Sequence, residues 1–145
     1  MTSYVLDASV AAKWFLPPGK ELLVDEAVRV LRAFQSGDCR LMAPDLFWAE
    51  MGNILWKAVR MGRMPAASCD AAVQSLGQAG IATLPCLPLL KDAMAIAMAF
   101  DRTVYDAVYV ALALVSDAPL VTADERLANA LAVRFPVRWL GALSI

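Results

Sequence analysis

The sequence predicts a single α/β domain with a mainly parallel sheet of about five strands and helices on both faces. Three observations favour this class. Short β-prone segments alternate with longer segments whose apolar residues recur every three to four positions, a pattern that requires crossover connections between parallel strands. The 145 residues suffice for one sizeable core. No repeat, low-complexity tract or linker divides the chain, so residues 1–145 are treated as one domain.

Five short segments are expected to form the strands. The first ends directly at Asp7, and its apolar character indicates a buried position. The third contains Pro85, which cannot donate a ladder hydrogen bond and therefore favours an edge strand. The expected strands are residues 3–6, 40–43, 83–87, 120–122 and 137–140.

Helices are expected between these strands, and several carry clear stop signals. Pro17-Pro18-Gly19 ends a short first helix, while Gly37 and Gly62 end the next two. Asp45 is suited to cap the third helix. The expected helices are residues 10–15, 21–36, 46–61, 66–78, 90–100, 103–116 and 124–134.

The apolar content is high, at 60% of residues and a mean hydropathy of +0.57. No stretch of about 18 apolar residues free of charge occurs, so we expect no membrane-spanning helix. Asp7 comes too early for a secretory signal. The excess apolar surface is therefore expected at a homodimer face or in a groove for a partner.

The chain contains no histidine, which excludes serine and cysteine nucleophiles activated by histidine, histidine general bases and histidine metal ligands. Its three cysteines form no CxxC pair, and they fit a reducing, cytoplasmic compartment rather than a zinc site. The net charge of −1 creates no global basic field, so nucleic-acid binding would have to rest on a local patch.

Four acids stand at the ends of expected strands or in the first two turns of expected helices. Asp7 closes the first strand and Asp124 lies two residues beyond the fourth, so their carboxylates lie side by side if those strands are neighbours. Each aspartate of the set could instead be a helix cap, and Asp106 forms a capping-box-like pair with Thr103. The four acids are Asp7, Glu50, Asp106 and Asp124.

Capping does not explain Glu50. On a helix it lies within about 60° of Phe47 and Ile54, at the border of the apolar stripe. An isolated buried carboxylate is costly, so a cation partner is the simpler account. A salt bridge with Lys57 or Arg60 at the rim is the alternative.

Clustering of all four acids would itself require a counter-charge. Two like charges about 6 Å apart repel by roughly 3 kcal/mol at an effective dielectric constant near 20. Four ionised carboxylates would then repel by about 15 kcal/mol in total, which rivals the stability of a whole domain. A ligand set made only of oxygens suits Mg²⁺ or Mn²⁺.

Four blocks of the chain, taken in order, resemble the PIN-domain ribonucleases and most closely the VapC toxins of bacterial and archaeal toxin–antitoxin pairs. The likeness covers nearly the full chain, with family-like spacing. The blocks are Val5-Leu6-Asp7-Ala8-Ser9, Ala43-Pro44-Asp45 leading to Glu50, Val104-Tyr105-Asp106-Ala107 continuing to Ala113, and Leu120-Val121-Thr122-Ala123-Asp124.

The resemblance implies an endoribonuclease that hydrolyses RNA with water activated by Mg²⁺ or Mn²⁺. It implies that the four acids are the catalytic metal ligands, with Ser9 and Thr122 as supporting hydroxyls. Such toxins usually form homodimers and are inhibited by a cognate antitoxin segment that covers the site. The run Asp101-Arg102-Thr103 departs from the less charged family pattern. Asp101 could be an additional outer acid, or Arg102 could partly neutralise the cluster.

Two other classes of α/β protein that use acids at strand ends are excluded by residues that the chain lacks. A haloacid-dehalogenase-like phosphatase would need an aspartate where Ser9 stands, and a receiver domain would need a lysine later than Lys91. The remaining alternative is a catalytically inactive interaction module whose acids are only helix caps. The basic residues expected to guide RNA are Lys13, Lys57, Arg60 and Arg102.

Overall fold

The structure, a computed structural model, describes residues 1–145 and is built on five strands that all pair in parallel. Their order across the sheet is β3-β2-β1-β4-β5. This confirms the predicted parallel sheet and the edge position of the strand before Pro85. The strands are β1 (Thr2–Leu6), β2 (Cys39–Pro44), β3 (Ala82–Leu84), β4 (Leu120–Thr122) and β5 (Val137–Trp139).

Seven α-helices connect and flank the strands. No helix combines the length and the apolar character that crossing a bilayer requires. The helices are α1 (Ala8–Ala11), α2 (Val24–Gln35), α3 (Leu46–Arg60), α4 (Ala66–Gln78), α5 (Leu90–Phe100), α6 (Val104–Ser116) and α7 (Glu125–Leu131).

Several element boundaries differ from the sequence prediction by one or more residues, and three of them have a clear local reason. The third strand ends at Leu84 rather than residue 87, because Pro85 follows and residues 87–89 form a 3₁₀ turn. The first helix begins at Ala8, directly after Asp7, and tightens into a 3₁₀ turn over residues 12–14. The second starts three residues late, after Leu23 in the left-handed region at φ 59°.

Helix α6 forms the centre of the fold. Its residues 107–113 are all buried, and it packs against β1, β2 and β4 while α5 covers it. A helix that is apolar on every side must be enclosed. Part of the high apolar content is therefore buried inside the domain, whereas the sequence led us to expect the excess at a partner surface.

The strand order reverses between β1 and β4. From β1 the chain moves outward through β2 and β3, then crosses to β4 and β5 on the other side. Leu6 pairs with Val121, and the Asp7 amide donates to the Val121 carbonyl at 3.1 Å. Ligands of open parallel sheets bind at the carboxyl ends of the strands where the order reverses. Asp7 stands at that position.

Candidate functional site

Two hydroxyls hold the carboxylate of Asp7 at the end of β1. Ser9 and Thr122 each donate a hydrogen bond of 2.7 Å to the same oxygen, Oδ2. Thr122 belongs to the adjacent strand β4 and is fully buried. The aspartate therefore has a fixed orientation set by both strands at the switch point.

The same hydroxyls tie this carboxylate to the backbone after β4. Ser9 Oγ accepts from the Ala123 amide at 3.0 Å, and Thr122 Oγ1 accepts from the Asp124 amide at 3.0 Å. Each hydroxyl thus accepts from the β4–α7 turn while it donates to Asp7. The side chain of Thr122 therefore couples the position of Asp124 to that of Asp7.

Asp124 is the one acid of the four that acts as a helix cap. Its Oδ1 accepts from the amides of Arg126 and Leu127, at 3.0 and 3.2 Å, at the start of α7. Those bonds hold Oδ1, and Oδ2 accepts no hydrogen bond. Capping is therefore compatible with a further role for this carboxylate.

The other acids do not cap. Asp7 occupies the N-cap position of α1 but makes no side-chain capping bond there, and its carboxylate is held instead by the hydroxyls of Ser9 and Thr122. At α6 the cap is Thr103, whose Oγ1 accepts from the Asp106 amide at 3.1 Å, so the Asp106 carboxylate remains available. Glu50 lies in the second turn of α3. Capping alone accounts for only one of the four acids.

Glu50 has a partner that the sequence analysis did not identify. The buried hydroxyl of Tyr109 on α6 donates a 2.6 Å hydrogen bond to Glu50 Oε1. Glu50 forms no salt bridge with Lys57 or Arg60, which was the alternative considered from the sequence. A helical repeat marks Tyr109 as a core residue, and only the fold shows that its hydroxyl faces the acid.

Electrostatic coupling shows that the acids share one region. Burial raises the pKa of Asp7, the Thr122 and Ser9 hydroxyls oppose that rise, and the charge of Asp106 adds to it. Burial likewise raises the pKa of Glu50 against the Tyr109 hydrogen bond, and the charges of Asp7 and Asp106 raise it further. These carboxylates therefore destabilise one another when ionised.

Asp106 connects the set to Asp124 and Arg102. Burial raises the pKa of Asp106, and the charge of Asp124 adds to the rise, while Thr103 and the guanidinium of Arg102 lower it. The positive charge of Arg102 therefore favours the ionised form of Asp106. The Nε atom of Arg102 is buried and makes no hydrogen bond. Asp101 ends α5 in the left-handed conformation, at φ 51°.

The donor set fits a hard divalent cation. All candidate ligands are carboxylate oxygens, which suit Mg²⁺ or Mn²⁺, and a cation would relieve the repulsion that raises their pKa values. Hydrogen bonds from side chains use Asp7 Oδ2 and Glu50 Oε1, leaving the other oxygen of each carboxylate. In the side-chain conformations of this structure no three acids meet as a metal-binding group. Coordination by three of them therefore requires side-chain rotation.

The basic residues that were expected to guide RNA have different interaction partners in the structure. Lys13 is held in a salt bridge to Glu21 at 3.1 Å, and Arg63 binds the same carboxylate at 2.9 Å. Arg60 stacks over Trp56, with its guanidinium carbon 5.4 Å from the ring centroid. The sequence pattern does not predict the role of Glu21, since its partners lie 8 and 42 residues away.

A cleft of about 440 Å³ opens beside Glu50. It lies between the first half of α3 and the start of α6, directly before Asp106. Its lining residues are Leu46, Ala49, Glu50, Asn53, Ile54 and Tyr105.

Comparison with known proteins gives consistent matches. Residues 4–131 match the PIN domain family. Ribonuclease VapC3 of Pyrobaculum aerophilum is 32% identical over 127 residues, covering 86% of this chain and 92% of that protein. Ribonuclease VapC1 of Mycobacterium tuberculosis is 38% identical over 88 residues, covering 61% of this chain and 65% of its own. The crystal structure of PAE2754 from Pyrobaculum aerophilum superposes with a TM-score of 0.70 at 25% identity, covering 97% of this chain and 90% of that one.

Proposed function

The chain belongs to the PIN-domain family, and on that premise we propose that it is a metal-dependent endoribonuclease acting as the toxin of a toxin–antitoxin pair. The similar proteins named Ribonuclease VapC support the ribonuclease activity and the toxin role. The observation that carries the proposal is the environment of Asp7. Two hydroxyls fix this partly buried carboxylate at the switch point, and the charge of Asp106 acts on it.

The proposed metal ligands are Asp7, Glu50, Asp106 and Asp124. A bound Mg²⁺ or Mn²⁺ would supply Lewis-acid stabilisation of the negative charge that develops on the phosphate during hydrolysis. Since the chain has no histidine, the protein's own contribution is to position carboxylates rather than to provide an imidazole base.

The surrounding residues would preorganise those carboxylates. Ser9 and Thr122 hold Asp7, and Tyr109 holds Glu50. Arg102 lowers the pKa of Asp106 and so favours its ionised form. Holding Asp7 and Glu50 in advance lowers the free energy of ordering these two ligands, while coordination by three acids still requires a side-chain rotation.

The RNA backbone would be guided by nearby cations, since the net charge of −1 gives no general attraction. Lys57 is exposed on α3, seven residues after Glu50. Arg60 and Arg102 are further candidates. Lys13 would contribute only if a phosphate competes with Glu21 for it, because Glu21 already neutralises its charge.

The same proposal includes the partners expected of such a toxin. A cognate antitoxin would inhibit the enzyme by covering the acids, and two copies of the chain would form a homodimer. Apolar side chains remain exposed for such contacts: Trp56 is 55% exposed, Met98 74% and Val115 63%.

The direct test is cleavage of single-stranded RNA by the purified protein with Mg²⁺, with Mn²⁺ and with excess EDTA. We expect cleavage with either metal, none in EDTA, and a loss of at least about 100-fold in Asp7→Asn, because a ligand carboxylate is removed. Asp70→Asn is the matched control, since Asp70 is an exposed acid on α4. Cleavage that persists in EDTA or in Asp7→Asn would falsify the proposal.

A further inference from the structure

The cleft beside Glu50 has the composition of a nucleobase subsite rather than a phosphate subsite. Leu46, Ala49 and Ile54 supply apolar walls, and Asn53 supplies one neutral amide. No lysine or arginine lines it, and the carboxylate of Glu50 faces it. A phosphate would be repelled there, whereas a flat, uncharged base would not.

Tyr105 offers the surface on which a base would stack. Its side chain is 62% exposed although it lies at the start of the most buried helix of the protein. It is the residue directly before Asp106, so a base stacked on it would lie beside the proposed metal ligands. Proteins that bind single-stranded RNA use aromatic side chains as stacking surfaces, which accept any base because every base has a π-face.

Asn53 supplies a hydrogen-bonding group on the same cleft. It lies three residues after Glu50 on α3, so both side chains project from neighbouring positions on one helix face. Its amide has two donor hydrogens and an acceptor oxygen, which match the edges of the bases. The cleft, at about 440 Å³, falls within the usual range of ligand pockets.

We propose that this cleft binds the base of a nucleotide next to the scissile phosphate, with Tyr105 stacking on its face and Asn53 contacting its edge. The inference rests on the proposed ribonuclease function and assigns it a substrate-binding subsite. It predicts that the enzyme binds an RNA that carries a base at this position more tightly than an RNA that is abasic there.

The test separates base binding from catalysis. Binding of a short single-stranded RNA to Asp7→Asn protein is measured by fluorescence anisotropy, so that no cleavage interferes. Adding Tyr105→Ala is expected to weaken binding by about 5- to 150-fold, the range that a stacked base contributes. Tyr105→Phe retains the ring and is expected to stay within about threefold. Val133→Ala is the control for loss of an exposed apolar side chain, because Val133 is 92% exposed and does not line this cleft.

An RNA series with single abasic positions locates the base. At one position the abasic RNA should bind the parent protein as weakly as the intact RNA binds Tyr105→Ala, and the two losses should not add. In active protein, Asn53→Ala should change the preference among the four bases at that position. Additive losses at every position, or an equal loss in Val133→Ala, would overturn the inference.

The outcomes remain distinct from failure of the proposed function. If the parent protein binds RNA through Tyr105 but never cleaves it, the catalytic proposal fails and the subsite stands. If it cleaves RNA with Mg²⁺ and Tyr105→Ala binds and cleaves equally well, the subsite is refuted. Dimerisation that is lost in Tyr105→Ala while RNA binding is unchanged also refutes it, because the cleft is then covered by a second copy.

Discussion

The hydroxyl of Tyr109 lies 2.6 Å from Glu50 Oε1 and joins the middle of α6 to the second turn of α3. Tyr109 is 1% exposed, and burial raises its pKa, as do the charges of Asp7 and Glu50. The phenol therefore stays protonated and acts as the donor. A side chain that looks like a core residue fixes one oxygen of a proposed metal ligand and leaves the other to face a cation.

Tyr109→Phe removes this donor while keeping the ring. We expect Mn²⁺ to bind several-fold more weakly by calorimetry, because Glu50 loses its fixed orientation, and stability to fall by about 1–2 kcal/mol. Tyr4→Phe is the matched control, since Tyr4 is also buried and its hydroxyl makes no side-chain hydrogen bond. Equal Mn²⁺ affinity in Tyr109→Phe and the parent protein would show that the bond does not position the ligand.

Thr122→Val removes the hydroxyl of Thr122 while nearly keeping the shape of the side chain. The valine leaves Asp7 Oδ2 with one hydroxyl donor and the Asp124 amide with no acceptor, so we expect a loss of about 2 kcal/mol in urea unfolding together with lower activity. Thr122→Ser keeps the hydroxyl and should lose about 1 kcal/mol or less, with most activity retained. Similar behaviour of the two variants would argue against the hydrogen-bond network.

Glu50→Gln should stabilise the metal-free protein. Burial and the charges of Asp7 and Asp106 raise the pKa of Glu50 above 4.5, so its ionised form destabilises the fold at pH 7. The variant should therefore be more stable by about 1 kcal/mol in EDTA at pH 7. The gap should close as the pH falls through the raised pKa toward 4.5, because the parent carboxyl then binds its proton.

A saturating divalent cation should reverse that difference, since it binds the protein with the intact ligand set more tightly and therefore stabilises it more. Asp70→Asn, on the exposed face of α4, should show neither effect. A Glu50→Gln protein that is less stable than the parent in EDTA at neutral pH would contradict this assignment.

Glu21→Gln should show the opposite pH dependence. Burial tends to raise the pKa of Glu21, but Arg63 and Lys13 outweigh it and lower the pKa. Its contribution is thus present above the ordinary value of 4.5 and lost as the pH falls through the lowered pKa. We expect the variant to be about 1 kcal/mol less stable at pH 7 and equal to the parent in strong acid. A gap that persists unchanged at pH 2 would contradict the ion-pair explanation.

The sequence predicts much of the fold because its signals are local. Alternating strand and helix patterns indicate a parallel sheet, and Pro85 marks its edge. The juxtaposition of Asp7 and Thr122 follows once β1 and β4 are neighbours, which the crossover after β3 determines.

The rest of the site depends on contacts between residues far apart in sequence. The Tyr109–Glu50 bond spans 59 residues and the Arg63–Glu21 bond spans 42, and no periodicity encodes either. The sequence also does not show which of several polar residues at a helix start is the cap. Asp106 and Asp124 both begin helices, yet Thr103 takes the capping role at one of them and leaves its acid available.

We propose that the acids at the end of β1, in α3, in α6 and in the β4–α7 turn form one metal centre. The most direct test of this proposal is a crystal structure of the protein with Mn²⁺, using anomalous scattering to locate the ion. We predict a peak about 2.0–2.6 Å from carboxylate oxygens of Asp7 and at least one of Glu50, Asp106 and Asp124. A peak bound elsewhere, or no peak at these acids at saturating Mn²⁺, would contradict the account.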